Sequence, residues 1–243
     1  MKKLFTLCFL SMLFLSAYGL PEVDENTQAI LEKMITAQGG RDALQKIKDT
    51  KITGTMEMTQ MGFNGVLTVY FKEPNKMRYD VEAMGMVITQ AYDGETAWYI
   101  NPQTGNTEEM SEQMATDFKR QAFGNEALLN PEKFGISYAN KGKETLEGKD
   151  YILIEQTFAD GFKAMLYIDS ETHLMFKSKA KTLNPMGVEV EAETIMTDYE
   201  NVEGIMMPKS MTVFQDGAEF MTMAFSEISF NSGLEDSFFE MKK

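Results

Sequence analysis

The chain has 243 residues, of which 43% are hydrophobic and 25% are charged, so it can bury a sizeable core. Acidic residues (37) outnumber basic ones (23), and the net charge of −14 argues against nucleic acid or an anionic membrane surface as the main partner. A single Cys and a single His exclude zinc sites of the Cys/His type, iron–sulfur clusters and disulfide scaffolds. We therefore predict no metal site and no cofactor. Methionine is unusually frequent, with 21 residues.

The N-terminus has the pattern of a cleavable export signal. Two lysines open residues 1–19, an apolar run follows, and Ala-Tyr-Gly at 17–19 places small residues where a signal peptidase cleaves. The apolar run is shorter than the roughly 20 residues that a membrane span requires. Cys8 lies too early within this run to carry a lipid. We predict a signal peptide over 1–19, a single domain over 20–243, and a soluble product in the periplasm without a lipid anchor.

The rest of the chain predicts two short helices followed by many strands. Apolar spacing indicates helices over Asp24–Gln38 and Arg41–Ile47, and from Thr50 onward the period changes to two. Turn signals such as Asp93-Gly94 and Asp160-Gly161 separate the strands, and such short connections favour antiparallel neighbours. About twelve strands are predicted, near 50–58, 66–72, 76–83, 86–92, 95–101, 136–143, 150–158, 162–169, 174–183, 188–200, 209–215 and 219–230.

One predicted helix interrupts the strands. Over residues 108–123, an apolar residue recurs every four positions at Met110, Met114 and Phe118, which is typical of an amphipathic helix with one apolar stripe. We find no linker and no internal repeat. The predicted fold class is therefore mainly β (α+β), with a single strongly curved antiparallel sheet whose concave face is filled or covered by helices.

Charge alone suggests a register for one hairpin. Lysines alternate along one strand and glutamates along the next, and folding the chain about Pro185 pairs Lys181 with Glu189, Lys179 with Glu191 and Lys177 with Glu193. The other face of this hairpin is predicted to be dry and carries Phe176, Ala180, Val188, Val190 and Ala192.

The residues give little support to catalysis. His173 follows Asp169 and Ser170 in a predicted turn, so a Ser–His–Asp arrangement is formally possible. Such a triad needs a buried orienting carboxylate, however, and a hairpin turn is exposed. We therefore predict a surface histidine and no enzyme.

Methionine and aromatic residues recur on the predicted strands and on the central helix. Because methionine is flexible and polarizable, it adapts to irregular apolar partners and is frequent on promiscuous binding surfaces. The same residues could instead fill a closed core. The pattern alone leaves both interpretations open.

Several segments together resemble LolA/LolB-like outer-membrane lipoprotein-sorting proteins. They are ILEKMITAQGGRDALQKIKDTKITGTM (30–56), YDGETAWYINP (92–102), LEGKDYILIEQTFADGFKAMLYIDSETHLMFK (146–177), YENVEGIMMPKSM (199–211) and FNSGLEDSFFEMK (230–242). The resemblance implies an incomplete β-barrel whose apolar concave side is covered by helices. It also implies binding of lipoprotein acyl chains, and related members bind lipids or sense envelope stress.

The sequence departs from the known members at two points. In known carriers an arginine holds the covering segment closed. The arginines of this chain are Arg41, Arg78 and Arg120, and no motif identifies any of them as that residue. The receptor type carries a lipidated cysteine after its signal, which this chain lacks, and this favours a carrier.

Our hypothesis is that the protein is a monomeric periplasmic carrier, which binds acyl chains of lipoproteins or lipids and moves them toward the outer membrane. It is not expected to bind nucleic acid. It would work between an inner-membrane donor and an outer-membrane acceptor. Met110, Met114 and Phe118 are expected to form a movable cover, and the predicted lining consists of Met56, Met58, Trp98, Met221, Met223 and Phe225. On this hypothesis, Met114→Glu should weaken acyl binding. The alternative is a periplasmic sensor or interaction module of the same fold that controls a protein partner.

Overall fold

The computed structural model describes residues 25–59, 62–183 and 188–242. The predicted signal peptide (1–19) and the turn at Pro185 lie outside these ranges. The helices are α1 (Glu25–Gln38), α2 (Arg41–Leu44), α3 (Glu112–Gln121) and α4 (Asn125–Leu129). The strands are β1 (Asp49–Met58), β2 (Phe63–Lys72), β3 (Lys76–Ala83), β4 (Met86–Tyr92), β5 (Ala97–Ile100), β6 (Thr107–Glu109), β7 (Ser137–Leu146), β8 (Lys149–Thr157), β9 (Lys163–Asp169), β10 (Met175–Leu183), β11 (Glu189–Val202), β12 (Ile205–Gln215) and β13 (Ala218–Phe230).

All thirteen of these strands form one antiparallel sheet. Its order is β6-β5-β4-β3-β2-β1-β13-β12-β11-β10-β9-β8-β7, so the first and last strands meet near the middle. The sheet is not closed, because β6 and β7 are its two edges. The chain between these edges carries α3 and α4. The predicted mainly β class, with a curved antiparallel sheet forming an incomplete barrel, is confirmed.

The segment predicted as one helix over 108–123 divides between strand and helix. Residues 107–109 form β6, where Glu109 pairs with Trp98. The carboxylate of Glu108 accepts hydrogen bonds from the hydroxyl of Tyr99 and the side-chain amide of Asn101, each at 2.8 Å. Because these strand partners hold residues 107–109, the helix begins only at Glu112.

The charged hairpin has a different register from the one predicted. Lys181 lies opposite Glu191, and Lys179 lies opposite Glu193, an offset of two residues. Long side chains reach diagonal neighbours, so the predicted charge pairs still form, at 3.3 Å for Lys177–Glu193, 2.6 Å for Lys179–Glu191 and 3.1 Å for Lys181–Glu189. A slip of two residues keeps every side chain on its own face.

A bulge changes the orientation of Phe176, which was predicted to lie on the dry face. The register between β9 and β10 shifts between Met175 and Lys177. The extra residue turns the Phe176 ring onto Tyr151, with ring centroids 4.7 Å apart. Since Ile152 and Ile154 belong to the core beneath α1, their alternating neighbour Tyr151 lies on the opposite, outer face.

A second bulge bends the middle of the sheet, where β1 pairs with β13. The register shifts between Thr53 and Gly54, and a β-bulge increases local twist. A Cβ atom at Gly54 would lie 2.2 Å from the carbonyl oxygen of Ala224. Glycine is therefore required for the two strands to approach at this bend.

The C-terminal strap (residues 231–242) crosses the face of the sheet opposite the helices. The start of the strap is anchored to Asp49 on β1. The buried carboxylate of Asp49 accepts hydrogen bonds from the Ser232 hydroxyl and from the backbone N–H groups of Ser232, Gly233 and Leu234 at 2.7–3.3 Å.

Beyond Asp49, the C-terminal strap is fixed to the following strands. Lys72 and Lys76 pair with Asp236 at 2.6 and 3.3 Å. Arg78 donates a hydrogen bond to the Phe238 carbonyl at 3.1 Å, and its guanidinium lies 4.4 Å from the ring centroid of Phe238. Further along, the Thr107 hydroxyl donates to the carbonyl of Lys242. The C-terminal strap thus joins β1 to β6 from outside.

The strap should make stability depend on Asp49 and on pH. Burial alone would raise the pKa of Asp49, but the hydrogen bonds from Ser232, Gly233 and Leu234 outweigh it and lower the pKa. A carboxyl with a lowered pKa in the folded state stabilises the fold above its unfolded value of about 4. This stabilisation is lost as pH falls through the folded pKa. We expect Asp49→Asn to lower the free energy of unfolding by about 2–3 kcal/mol at neutral pH.

Urea unfolding followed by Trp98 fluorescence measures this, because Trp98 is the single tryptophan and contacts the strap. Glu227→Gln, on the exposed face of β13, is the matched control and should have little effect. Equal stabilities for Asp49→Asn and wild type between pH 3 and pH 7 would refute the role assigned to this carboxylate.

Candidate functional site

A cavity of about 690 Å³ lies between the helices and the concave face of β7–β13. Its floor is formed by inward side chains of these strands. Its roof comes from α1, from the segment α3–α4, and from the β8–β9 hairpin. The volume falls in the range of small-molecule sites, about 300–1,000 Å³.

Small side chains at the centre of the floor create this space. Ala164, Ala180 and Ala192 are partners across β9, β10 and β11, and all three line the cavity. Ser178 and Thr194 form the next inward pair along β10 and β11, and both also line the cavity. Because the alternate positions on β10 and β11 carry the outward lysines and glutamates, these strands cannot fill the concave side themselves.

A row of methionines borders this floor. Met196, Met211 and Met223 are successive cross-strand partners on β11, β12 and β13, and each lines the cavity. Met56 continues the row on β1 as the partner of Met223. With strands about 4.8 Å apart, the four side chains extend for about 14 Å. Three further methionines also line the cavity, Met34, Met175 and Met221. The wall is therefore soft and adaptable.

The roof is tied together by Arg120. Its guanidinium pairs with Asp117 on α3 and with Asp160 in the β8–β9 turn. It also lies 4.1 Å from the ring centroid of Phe162 on the far side of that turn. Phe158 and Phe123 stack with centroids 6.1 Å apart, which adds an apolar contact between the same two segments. These contacts close one side of the cavity.

Next to Arg120, a shallow vestibule of about 390 Å³ adjoins the cavity. Asp117, Arg120, Phe162 and Thr182 line both spaces. The vestibule also has Lys181 and Glu189 in its wall, and these two side chains pair with each other at 3.1 Å. The charged side chains that line the vestibule are therefore already engaged in ion pairs within the protein.

The polar groups inside the cavity are mostly uncharged. The Gln156 side-chain amide donates to the Tyr138 hydroxyl at 3.1 Å, and burial raises the pKa of Tyr138 to about 12. Tyr138 therefore stays neutral at physiological pH. On α1, Oε1 of Gln38 is buried without a hydrogen-bond partner among the described residues. A buried acceptor of this kind costs about 1–3 kcal/mol.

The structure brings part of the predicted site to this cavity. Met221 and Met223 line it, and Met56 adjoins Met223. Phe225 is buried in the neighbouring cluster formed by Ile52, Leu67 and Val81. Met58 lies at the end of β1, opposite Phe63.

The residues that were predicted to cover the cavity do not line it. Met110 and Phe118 are buried against Met77 and Tyr92, in a closed cluster under β3–β5. Met114 remains 51% exposed. The side of α3 that borders the cavity carries the polar residues Asp117, Arg120 and Gln121.

Trp98 lies on the other face of the sheet. Its neighbour Ala97 packs in the cluster beneath α3, so Trp98 points away from the helices. Its indole N–H donates to the Phe239 carbonyl at 2.8 Å, and the residue is only 3% exposed. Trp98 thus anchors the C-terminal strap and does not line the cavity.

The sequence does not predict the other lining residues. They are the small residues of β9–β11, the methionines at 175, 196 and 211, and Gln38. The small residues had a signal: uncharged short side chains alternate with lysine in 177–182 and with glutamate in 189–194. Gln38 had none, because its role depends on where the end of α1 packs.

His173 lies in the turn between β9 and β10. The Asp169 side chain accepts hydrogen bonds from the N–H groups of Glu171 and Thr172, which hold the turn. His173 itself has a φ of 58° in that turn. Over the described ranges, no group of three or more His, Cys, Asp or Glu side chains could hold a metal ion. Nor is any helix in those ranges long and apolar enough to cross a membrane.

A family model with the description "uncharacterized protein" matches residues 67–243. The chain belongs to this family. No curated protein matches its sequence.

Solved structures share its fold at low sequence identity. A LolA superfamily protein from Nitrosomonas europaea superposes with a TM-score of 0.61 at 15% identity, over 88% of this chain and 96% of that one. A DUF1329 family protein from Desulfovibrio piger gives 0.59 at 15% identity, with the same coverage. A putative outer membrane lipoprotein-sorting protein domain from Vibrio parahaemolyticus gives 0.58 at 14%, over 87% and 94%. The LolA-like fold predicted from the sequence is confirmed.

Removing the guanidinium of Arg120 should loosen the roof of the cavity. Arg120→Gln loses both ion pairs and the contact with the Phe162 ring. We expect faster amide hydrogen exchange in α3 and in residues 158–162, with unchanged exchange in β1 and β13. Lys119→Gln, one residue away on the same helix, is the control. Identical exchange in Arg120→Gln and wild type would show that these contacts do not hold the roof.

Proposed function

We propose that this protein is a non-enzymatic periplasmic carrier that binds the acyl chains of lipoproteins or lipids and moves them toward the outer membrane. The observation that carries the proposal is the cavity of about 690 Å³, with its floor of small residues and its wall of methionines. The same fold occurs in the lipoprotein-sorting domain from Vibrio parahaemolyticus, which supports this choice of cargo.

The chemistry of the cavity suits a flexible hydrocarbon chain. Each buried methylene contributes about 0.8 kcal/mol, so ten of them would supply about 8 kcal/mol before the entropy of association is subtracted. Methionine side chains can follow chains of different shape. A wall of this kind selects an apolar chain without selecting one particular length.

A route into the cavity lies beside Arg120. The vestibule and the cavity meet at Asp117, Arg120 and Phe162. An acyl chain entering there would pass between α3 and the β8–β9 turn while its polar end stayed near the solvent. Separation of these two segments would admit and release cargo.

Location and partners belong to the same proposal. The pattern at residues 1–19 supports export by a cleavable signal peptide, and the following residues would form one domain in the periplasm. Cargo would come from an inner-membrane donor and pass to an outer-membrane acceptor. The protein would act as a monomer.

Filling the floor of the cavity should reduce binding while the fold is kept. Ala180→Leu adds three carbon atoms at the centre of the small-residue row, so the side chain competes with a ligand for the same space. We expect affinity for phenylnaphthylamine, an uncharged apolar fluorophore, to fall at least about tenfold, a loss of about 1.4 kcal/mol. Fluorescence titration measures it.

The matched control is Ala224→Leu, which adds the same atoms at an exposed position of β13. Circular dichroism should be unchanged in both variants. If Ala180→Leu folds and binds the fluorophore as wild type does, the cavity is not the binding site.

A further inference from the structure

The cavity is confined to one half of the sheet. Toward β1–β3 it ends at the buried cluster that contains Ile52, Leu67 and Phe225, and Met211 and Met223 of the cavity wall pack against this cluster. Beneath the start of α3, the closed cluster under β3–β5 takes up the space. Because protein interiors are close-packed, the cavity cannot grow in these directions without breaking up a formed core.

The opposite side of the cavity is closed in the same way. Met34, Ile136, Tyr138 and Leu166 form its wall there, and all four are buried members of the core beneath α1. The hydrocarbon that can be taken up is therefore limited by the space between two packed cores.

The proposed entry route decides which part of a ligand needs this space. The vestibule and the cavity share Asp117, Arg120, Phe162 and Thr182. A ligand that enters there leaves its polar end in the vestibule, near the solvent. The cavity then has to hold the acyl part alone.

The volume of the cavity sets how much acyl chain can enter. A methylene group is about as large as a water molecule, which takes up about 30 Å³ in the liquid. The cavity of about 690 Å³ therefore corresponds to about 23 methylene groups. One chain of sixteen carbons takes up about 480 Å³, whereas two such chains take up about 960 Å³. One long chain fits, and a second one does not.

We propose that the protein holds one long acyl chain at a time, and that its cargo is an amphiphile with a single such chain, for example a lysolipid or a protein with one acyl group. This inference rests on the proposed function and narrows its cargo. A lipid with two long chains would leave most of the second chain in water, where its apolar surface contributes nothing to binding. The cavity thus discriminates between lipids by their number of long chains.

Two phosphatidylcholines with the same head group test this capacity in the wild-type protein. One carries chains of sixteen and six carbons, which the cavity can hold together, and the other carries chains of sixteen and twelve carbons, which exceed it. Both are added in equal amounts to the same sample, below their critical micelle concentrations. Native mass spectrometry then gives the ratio of the two adducts, and hence the ratio of the two affinities.

The six additional methylene groups should add little to the affinity. If they were buried in the cavity, each would raise the affinity about fourfold, and all six together would raise it more than about a thousandfold. We expect the adducts of the two lipids to differ by less than about tenfold. In a separate titration, lysophosphatidylcholine with one chain of sixteen carbons should saturate at one molecule per protein.

Two variants show whether the adducts report on the cavity. Ala180→Leu takes up space at the centre of the floor, so adducts of all three lipids should become weaker. Ala224→Leu, at an exposed position of β13, is the matched control and should bind as wild type does.

The two levels of the proposal fail differently. A preference of about tenfold or more for the longer lipid, or two lysolipids that bind with equal affinity and are both weakened by Ala180→Leu, would overturn the inference alone. If neither the lipids nor phenylnaphthylamine bind to the wild-type protein, the proposed function fails and the inference fails with it.

Discussion

The ends of the thirteen-stranded sheet do not meet, and this constraint shapes the rest of the molecule. Since β6 and β7 are consecutive in the chain but lie at opposite edges, the segment between them must span the open side of the sheet. That segment carries α3 and α4, which bring Arg120 to the β8–β9 turn and Phe118 to Tyr79. The helical cover is thus a direct consequence of the strand order.

The two halves of the sheet use this cover differently, because their inward side chains differ in size. Under β1–β5 the inward residues are large, such as Tyr79 and Tyr92, and with Met110 and Phe118 they form closed clusters. At the centre of β9–β11 they are alanine, serine and threonine, and the helices lie above a gap. The C-terminal strap stiffens the first half from outside, through Asp49 and Trp98.

The sequence predicts what depends on local period and turn chemistry. Two-residue alternation located most strands, Asp-Gly signals located the turns, and the lysine and glutamate rows identified an outward face correctly although their register was two residues off. The placement of Trp98 and of Phe118 could not be predicted, because alternation does not say which face is concave or which strands lie under a helix. The bulge at Phe176 reverses one side chain without any composition signal. The contact of Asp49 with Ser232 joins residues 183 positions apart.

For the same reason, the sequence predicted an apolar, methionine-rich cavity but not which strands form it. The abundance of methionine indicated a soft apolar surface, and the row Met56–Met223–Met211–Met196 forms only when four strands align in register. Arg120 contacts both the cover and the β8–β9 turn, and no motif marks it in the sequence. Long-range pairing, which periodicity does not encode, decides all of these positions.

The most direct test of the account is native mass spectrometry of the gently purified protein. The account predicts adducts with the masses of lipids or acylated proteins that disappear on extraction with organic solvent. It also predicts that the extracted protein rebinds added acyl chains. A bare mass together with no binding of added acyl chains would contradict it, and a sensor or interaction module of the same fold would then be the better description.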